Sequence, residues 1–66
     1  MTRLIHVVRR AAAPPPEALA AADWVVYEAG AAWRLDPHGQ PPLPPGPIDA
    51  AQLHDLVFAA DAAIVW

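Results

Sequence analysis

The chain has 66 residues and no cysteine, so we expect one small domain over residues 1–66, without disulfides or a thiolate metal site. It has no serine and no lysine, and Thr2 is its single threonine, which leaves few nucleophiles and favours a non-enzymatic role. The net charge of −3 argues against a nucleic-acid partner, and no apolar run approaches the roughly 18–20 residues of a membrane span, so we expect a cytoplasmic protein.

Three short apolar runs rich in β-branched residues predict buried strands. They cover residues 4–8, 24–28 and 62–66. None of the three alternates apolar with polar residues, a pattern typical of strands that are covered on both faces in a parallel sheet. We therefore expect three strands that lie inside a layered α/β structure.

Two segments between these runs predict helices. Residues 16–22 follow three prolines and are rich in alanine, which favours a helix of barely two turns.

Residues 50–60 carry the stronger pattern for a helix. Asp49 is a natural N-cap and Gln52 completes a capping box, while Ile48 and Leu53 stand at the positions of a hydrophobic staple. Leu53, Leu56, Val57 and Ala60 continue an apolar stripe at helical spacing.

The segment between the second strand and the second helix is irregular in composition. Residues 31–35 predict a short hairpin strand or an irregular turn, and residues 36–39 predict a turn. Six of positions 41–47 are proline or glycine, so residues 40–47 predict a polyproline II-like loop, as a rigid connector rather than a recognition segment.

The order of elements is β-α-β-(β)-α-β. It predicts an α/β fold with a small, mainly parallel sheet of three to four strands and two helices, joined by right-handed crossovers.

The aromatic residues are candidates for an interface. Alanine fills 16 of the 66 positions, so the core is marginal and the large rings have few large neighbours. We expect Trp24 in the core. Trp33, Trp66 and Tyr27 are the predicted interface residues, because aromatic side chains dominate binding hot spots. The chain should therefore form a homo- or hetero-oligomer with other protein subunits.

Glu28 and the three histidines are the candidates for acid–base or metal chemistry. Glu28 ends the second predicted strand, where open α/β sheets place ligands. It is a possible acid–base group if buried, or, as we favour, a turn or ion-pair residue. His6, His38 and His54 lack the spacing of metal ligands. We therefore expect no metal, no cofactor and no catalytic residue.

Several motifs taken in order resemble the small sulfur-relay proteins of the DsrH/TusB family. LIHVVRR at residues 4–10 is similar to the first strand of that family, with one residue extra. YEAGAA at residues 27–32 is similar to its second strand and turn. LHDLV at residues 53–57 and the IVW ending are similar to its last helix and terminal strand.

The resemblance covers roughly two-thirds of the chain and implies a DsrE-like layer. It also implies a non-catalytic subunit of a sulfur-relay complex for sulfur oxidation or tRNA thiolation, bound to DsrE/DsrF- or TusC/TusD-like paralogues that carry the cysteines. Members of the family are longer and often have a cysteine, whereas this chain has none. Because a sulfur relay needs a nucleophilic sulfur, this chain could not carry sulfur itself.

Two alternatives to this function stay open. One is a small oligomeric acid–base enzyme of isomerase type that uses Glu28 or a histidine. The other is an antitoxin or immunity-type binding protein, since small acidic partners are common in that class.

Overall fold

A computed structural model describes residues 2–10 and 13–66 of the chain. Its elements, in chain order, are β1 (Leu4–Val8), a 3₁₀ turn (Pro16–Ala18), β2 (Trp24–Ala29), β3 (Ala32–Leu35), β4 (Gly46–Ile48), α1 (Ala50–Ala59) and β5 (Ala62–Val65). The strands form one five-stranded sheet in the order β4-β3-β2-β1-β5. No helix among the described residues is long and apolar enough to cross a bilayer.

The sheet is mixed. β1 lies between β2 and β5 and runs parallel to both, with Ile5 aligned to Trp24 and to Ala63. β2, β3 and β4 are successively antiparallel. Gly30 joins β2 to β3 with a φ of +63°, a backbone conformation that glycine adopts without a Cβ clash.

The prediction of a mainly parallel sheet with two helices is wrong. The described residues contain five strands rather than three or four, two of the four strand pairings are antiparallel, and α1 is the single α-helix. The residue 31–35 segment forms β3 and turns the chain back along β2, which is what makes the sheet mixed.

The helix expected over residues 16–22 is a single 3₁₀ turn. Its start has no side-chain cap, and the turn contains no buried residue. A helix of two turns depends on tertiary packing for its stability, because helix nucleation is unfavourable. Without a cap or a buried face, helix propensity does not extend this turn.

The proline-rich segment also departs from the prediction at its end. Residues 46–48 form the edge strand β4, where Pro47 is aligned with Arg34 of β3 and Ile48 with Trp33. An edge strand tolerates a proline, because one side of its backbone has no ladder partner. Residues 40–45 contain no strand or helix.

The core lies between one face of the sheet and α1. It is a cluster of buried apolar side chains: Ile5, Trp24, Val26, Leu35, Ile48 and Leu56. Trp33 and Leu53 pack against this cluster. The predicted capping box is confirmed, with Asp49 accepting from the Gln52 amide at 2.7 Å and Gln52 Oε1 accepting from the Asp49 amide at 2.9 Å. Strand alternation directs His6 to the face opposite α1.

Candidate functional site

A buried histidine–aspartate pair lies beside β1 and β2. His6 is 0% exposed and Asp23 is 1% exposed, and His6 Nε2 is 2.9 Å from Asp23 Oδ2. The parallel register brings the two residues together. Because Ile5 is aligned with Trp24, Asp23, the residue before β2, lies beside the start of β1.

Asp23 is held as a carboxylate by three N–H donors. Its Oδ1 accepts from the Leu4 amide at 3.1 Å, and its Oδ2 accepts from the Ala20 amide at 3.0 Å and from His6. Burial raises the pKa of the Asp23 carboxyl, but the hydrogen bonds from His6, Ala20 and Leu4, together with the charge interaction with His6, outweigh burial and leave the pKa below its ordinary value. The ionised form is therefore the one that this site stabilises.

Trp66 determines which nitrogen of His6 carries the proton. Its indole Nε1 donates to His6 Nδ1 at 3.0 Å. An indole N–H can only donate, so we assign the lone pair to Nδ1 and the proton to Nε2, which donates to Asp23. The two rings lie within 16° of parallel with centroids 6.0 Å apart. Indole, imidazole and carboxylate thus form one directed chain of hydrogen bonds.

The His6–Asp23 pair contains the chemical groups of a general-base pair, but a substrate could not reach it. A histidine held by an aspartate is the arrangement that activates nucleophiles in hydrolases. A general base must lie within hydrogen-bond reach of a substrate proton. Both ring nitrogens of His6 already have partners and the side chain has no exposed surface. The geometry therefore supports a structural role.

Glu28 forms an ion pair at the protein surface. Its Oε2 accepts from Arg9 Nε at 3.1 Å, and both side chains are partly exposed to solvent. Ion pairs with this exposure contribute little to stability. The structure thus places Glu28 beside an arginine rather than in an enclosed pocket.

Of the predicted interface aromatics, Trp33 and Trp66 contact other parts of the chain. Trp33 is half-buried against the core cluster, and Trp66 bonds to His6. Trp24 is buried and donates from Nε1 to the Gly39 carbonyl at 3.2 Å. Tyr27 lines an open groove of about 400 Å³ between the β2–β3 hairpin and the proline-rich loop. Arg34, Asp36 and Pro45 are among the other residues that line it.

The other two histidines take no part in the side-chain hydrogen bonds of His6, Asp23 and Trp66. His38 contacts only the backbone of Asp23, and His54 lies on α1. His38 Nδ1 donates to the Asp23 carbonyl at 2.7 Å, and the His54 ring meets Phe58 edge-on at 4.6 Å. Across residues 2–10 and 13–66, the structure brings together no group of three histidine, cysteine or acidic side chains that could hold a metal ion.

The large apolar side chains left exposed are not those predicted from the sequence. They are Val57, Phe58 and Val65, and Phe58 is 76% exposed. Val57 belongs to the predicted core stripe, yet of that stripe Leu56 is buried, Leu53 and the C-cap residue Ala60 are partly buried, and Val57 is exposed. Phe58 follows Leu56 by two positions, which is nearly opposite on a helix. That spacing is the sequence feature that predicts its exposure.

Asp23 and the role of His6 were also missed from the sequence. Asp23 stands at the end of an expected helix, where it reads as a surface residue. The available indication was the parallel pairing of the first two strands, which aligns the residue before β2 with the start of β1. Without that register, the polar atoms of residues 6, 23 and 66 have no reason to be assigned to one cluster.

Comparisons with protein-family models, curated proteins and solved structures give no match to this chain. The resemblance to the DsrH/TusB family therefore stays a prediction.

Proposed function

We propose that this chain is a non-catalytic cytoplasmic subunit that acts through protein–protein contacts. The observation that carries the proposal is the exposed phenylalanine of α1. Phe58 is 76% exposed, and Val57 beside it and Val65 on β5 are also exposed. Covering a side chain of this size contributes about 1.5–3 kcal/mol. A partner that buries Phe58 would gain that free energy.

The proposed role is non-catalytic because the candidate acid–base side chains already bind other side chains of the protein. His6 and Asp23 bind each other away from solvent, and Glu28 binds Arg9. These contacts favour an interaction subunit over the isomerase-type enzyme considered from the sequence.

The narrower part of the proposal places the chain in a sulfur-relay complex. Its support is the order of the motifs that resemble the DsrH/TusB family, at residues 4–10, 27–32 and 53–66. The chain has no cysteine, so its partners would be DsrE/DsrF- or TusC/TusD-like subunits that carry the reactive sulfur.

The test is binding to purified cysteine-bearing subunits of these two types, measured by titration calorimetry. We expect a complex with the unaltered chain and at least about tenfold weaker binding for Phe58→Ser, because the variant loses more than about 1.4 kcal/mol of apolar burial. Glu17→Gln, an exposed substitution in the 3₁₀ turn outside α1, is the control and should bind normally.

Two results would contradict this proposal. Absence of binding to both types of subunit would remove the sulfur-relay placement. Equal binding by Phe58→Ser and the unaltered chain would remove the α1 surface as the contact.

A further inference from the structure

The two edges of the sheet differ in how they could meet another strand. β4 has three residues, one of which is Pro47, and such an edge resists pairing. β5 has the sequence Ala-Ala-Ile-Val, without charge or proline, and three of its four residues are exposed. In the described part of the chain, β1 is its only neighbour in the sheet. An apolar edge strand of this kind is a template for strand addition.

The hydrogen bonds to β1 show which backbone groups of β5 point outward. The Trp66 amide donates to the Val7 carbonyl at 2.9 Å, and the Trp66 carbonyl accepts from the Arg9 amide at 2.9 Å. Alternate residues of a strand direct both backbone groups to the same side, so Ile64 also faces β1. Ala63 and Val65 therefore direct their N–H and C=O groups to the open edge.

We infer that two copies of this chain pair antiparallel through β5 into one continuous ten-stranded sheet. The inference rests on the proposed function and names one partner and its surface. Ala63 of each copy lies opposite Val65 of the other, and Ile64 lies at the two-fold axis. Each of these two pairs exchanges both N–H···O bonds, so every outward group of Ala63 and Val65 is satisfied.

The side chains and charges suit this register. The Val65 side chain, 64% exposed, packs across the strands on the small Ala63 of the second copy. Antiparallel pairing also brings exposed Asp61, which precedes β5, toward the end where the amides of Arg9 and Arg10 close on the Trp66 carbonyl at 2.9 and 3.1 Å. Antiparallel pairing therefore keeps the two Asp61 carboxylates at opposite ends of the paired strands, whereas in-register parallel pairing would set Asp61 beside Asp61.

The test begins with the mass of the full chain in solution by sedimentation. We expect the mass of two chains for the unaltered protein. Val65→Lys should weaken association about tenfold or more, because a charged side chain on an edge strand opposes pairing. Val65→Thr keeps the branched shape and the backbone groups, and should remain a dimer.

Amide hydrogen exchange tests the register within the same strand. In the dimer, the amides of Ala63, Ile64 and Val65 should all exchange slowly. In Val65→Lys, exchange at positions 63 and 65 should become fast while Ile64 stays protected by β1. If that variant unfolds, Ile64 loses protection as well, and Ala63→Pro replaces it because proline removes one outward donor and leaves the bonds to β1.

Two results would overturn the β5 pairing: a monomer at the concentrations used for magnetic resonance, or a dimer in which Ala63 and Val65 exchange fast. Either result is separable from the proposed function. A monomer that still binds a sulfur-relay subunit through Phe58 keeps that function and ends the β5 pairing. A β5 dimer that binds no such subunit keeps the β5 pairing and removes the sulfur-relay function.

Discussion

Asp23 joins β1 to the β1–β2 connection through one buried carboxylate. It accepts hydrogen bonds from Leu4 at the start of β1, from Ala20 in the β1–β2 connection, and from His6 within β1. Trp66 extends the same cluster to the residue after β5. A single acidic side chain therefore links segments that are far apart in sequence, and its loss should affect the whole fold.

We expect Asp23→Asn to lower the free energy of unfolding by about 1.5–3 kcal/mol at pH 7. The asparagine amide would face N–H donors, and Trp66 prevents His6 from offering its other tautomer. Urea denaturation measures the change. Asp55→Asn, an exposed substitution on α1, is the control and should change stability by less than about 0.5 kcal/mol.

The same substitution should alter the acid response. The folded pKa of Asp23 is below its ordinary value of 3.8, so its stabilising contribution is present above that value and is lost as the pH falls toward the folded pKa. Asp23→Asn should therefore lose less stability than the unaltered chain on acidification below pH 3.8. An identical acid profile for the two proteins would contradict the assigned role.

Two glycines with positive φ separate the effect of crowding from that of backbone conformation. Gly39 has a φ of +77°, and a Cβ there would overlap the Asp23 carbonyl oxygen and lie 2.9 Å from its carbon. Gly30 has a φ of +63° with open space around it. The Gly39 turn therefore needs glycine for close approach as well as for φ.

We expect Gly39→Ala to cost about 2–4 kcal/mol and Gly30→Ala about 1 kcal/mol, because only the first adds a clash to the left-handed strain. Thermal unfolding of both variants measures the difference. Equal costs at the two positions would show that the 36–40 turn moves away from Asp23 without penalty.

At the scale of elements, α1 is the best-predicted part of the fold. Its start follows from local chemistry, since Asp49 and Gln52 bond to each other's backbone three residues apart. The 16–22 segment has comparable helix propensity but no cap and no buried residue. Propensity alone was therefore a poor guide, and capping together with burial separated the two segments.

Asp49→Ala should lower stability by about 1 kcal/mol, because it leaves the Gln52 amide without its acceptor. Chemical denaturation followed by far-ultraviolet circular dichroism measures both stability and helix content. The matched control is Asp55→Ala, which removes the same charge within α1 but no cap, and its effect should stay within about 0.5 kcal/mol. Equal losses in the two variants would argue for a general charge effect.

The strands show the limit of reading one segment at a time. The sequence predicts strands at 4–8, 24–28 and 62–66, and these segments overlap β1, β2 and β5. β4 was not predicted, because prolines and a glycine surround it and its pairing depends on β3 being already in place. A three-residue edge strand is stabilised by its neighbour rather than by its own composition.

At the scale of the whole molecule, α1 covers one face of the five-stranded sheet that the described residues form. Among these residues, Phe58 is exposed and β1 is the only strand beside β5. The sequence predicts a marginal core and an interface at Trp33, Trp66 and Tyr27. In the structure the indoles contact their own chain, and the exposed apolar side chains lie elsewhere. The surfaces proposed above for association, on α1 and β5, are the ones that the fold of the described residues leaves uncovered.

The amino-acid sequence by itself determined the local features: α1 with its capping box, the strand character of the apolar runs, and the absence of a thiol. The capping box depends on residues three positions apart, the strand character on the local run of β-branched residues, and the missing thiol on composition alone. Only the tertiary structure decided the mixed pairing of the sheet, the chain of hydrogen bonds through residues 6, 23 and 66, and the free edge of β5. Those features depend on strand register between distant segments, which local propensity does not encode.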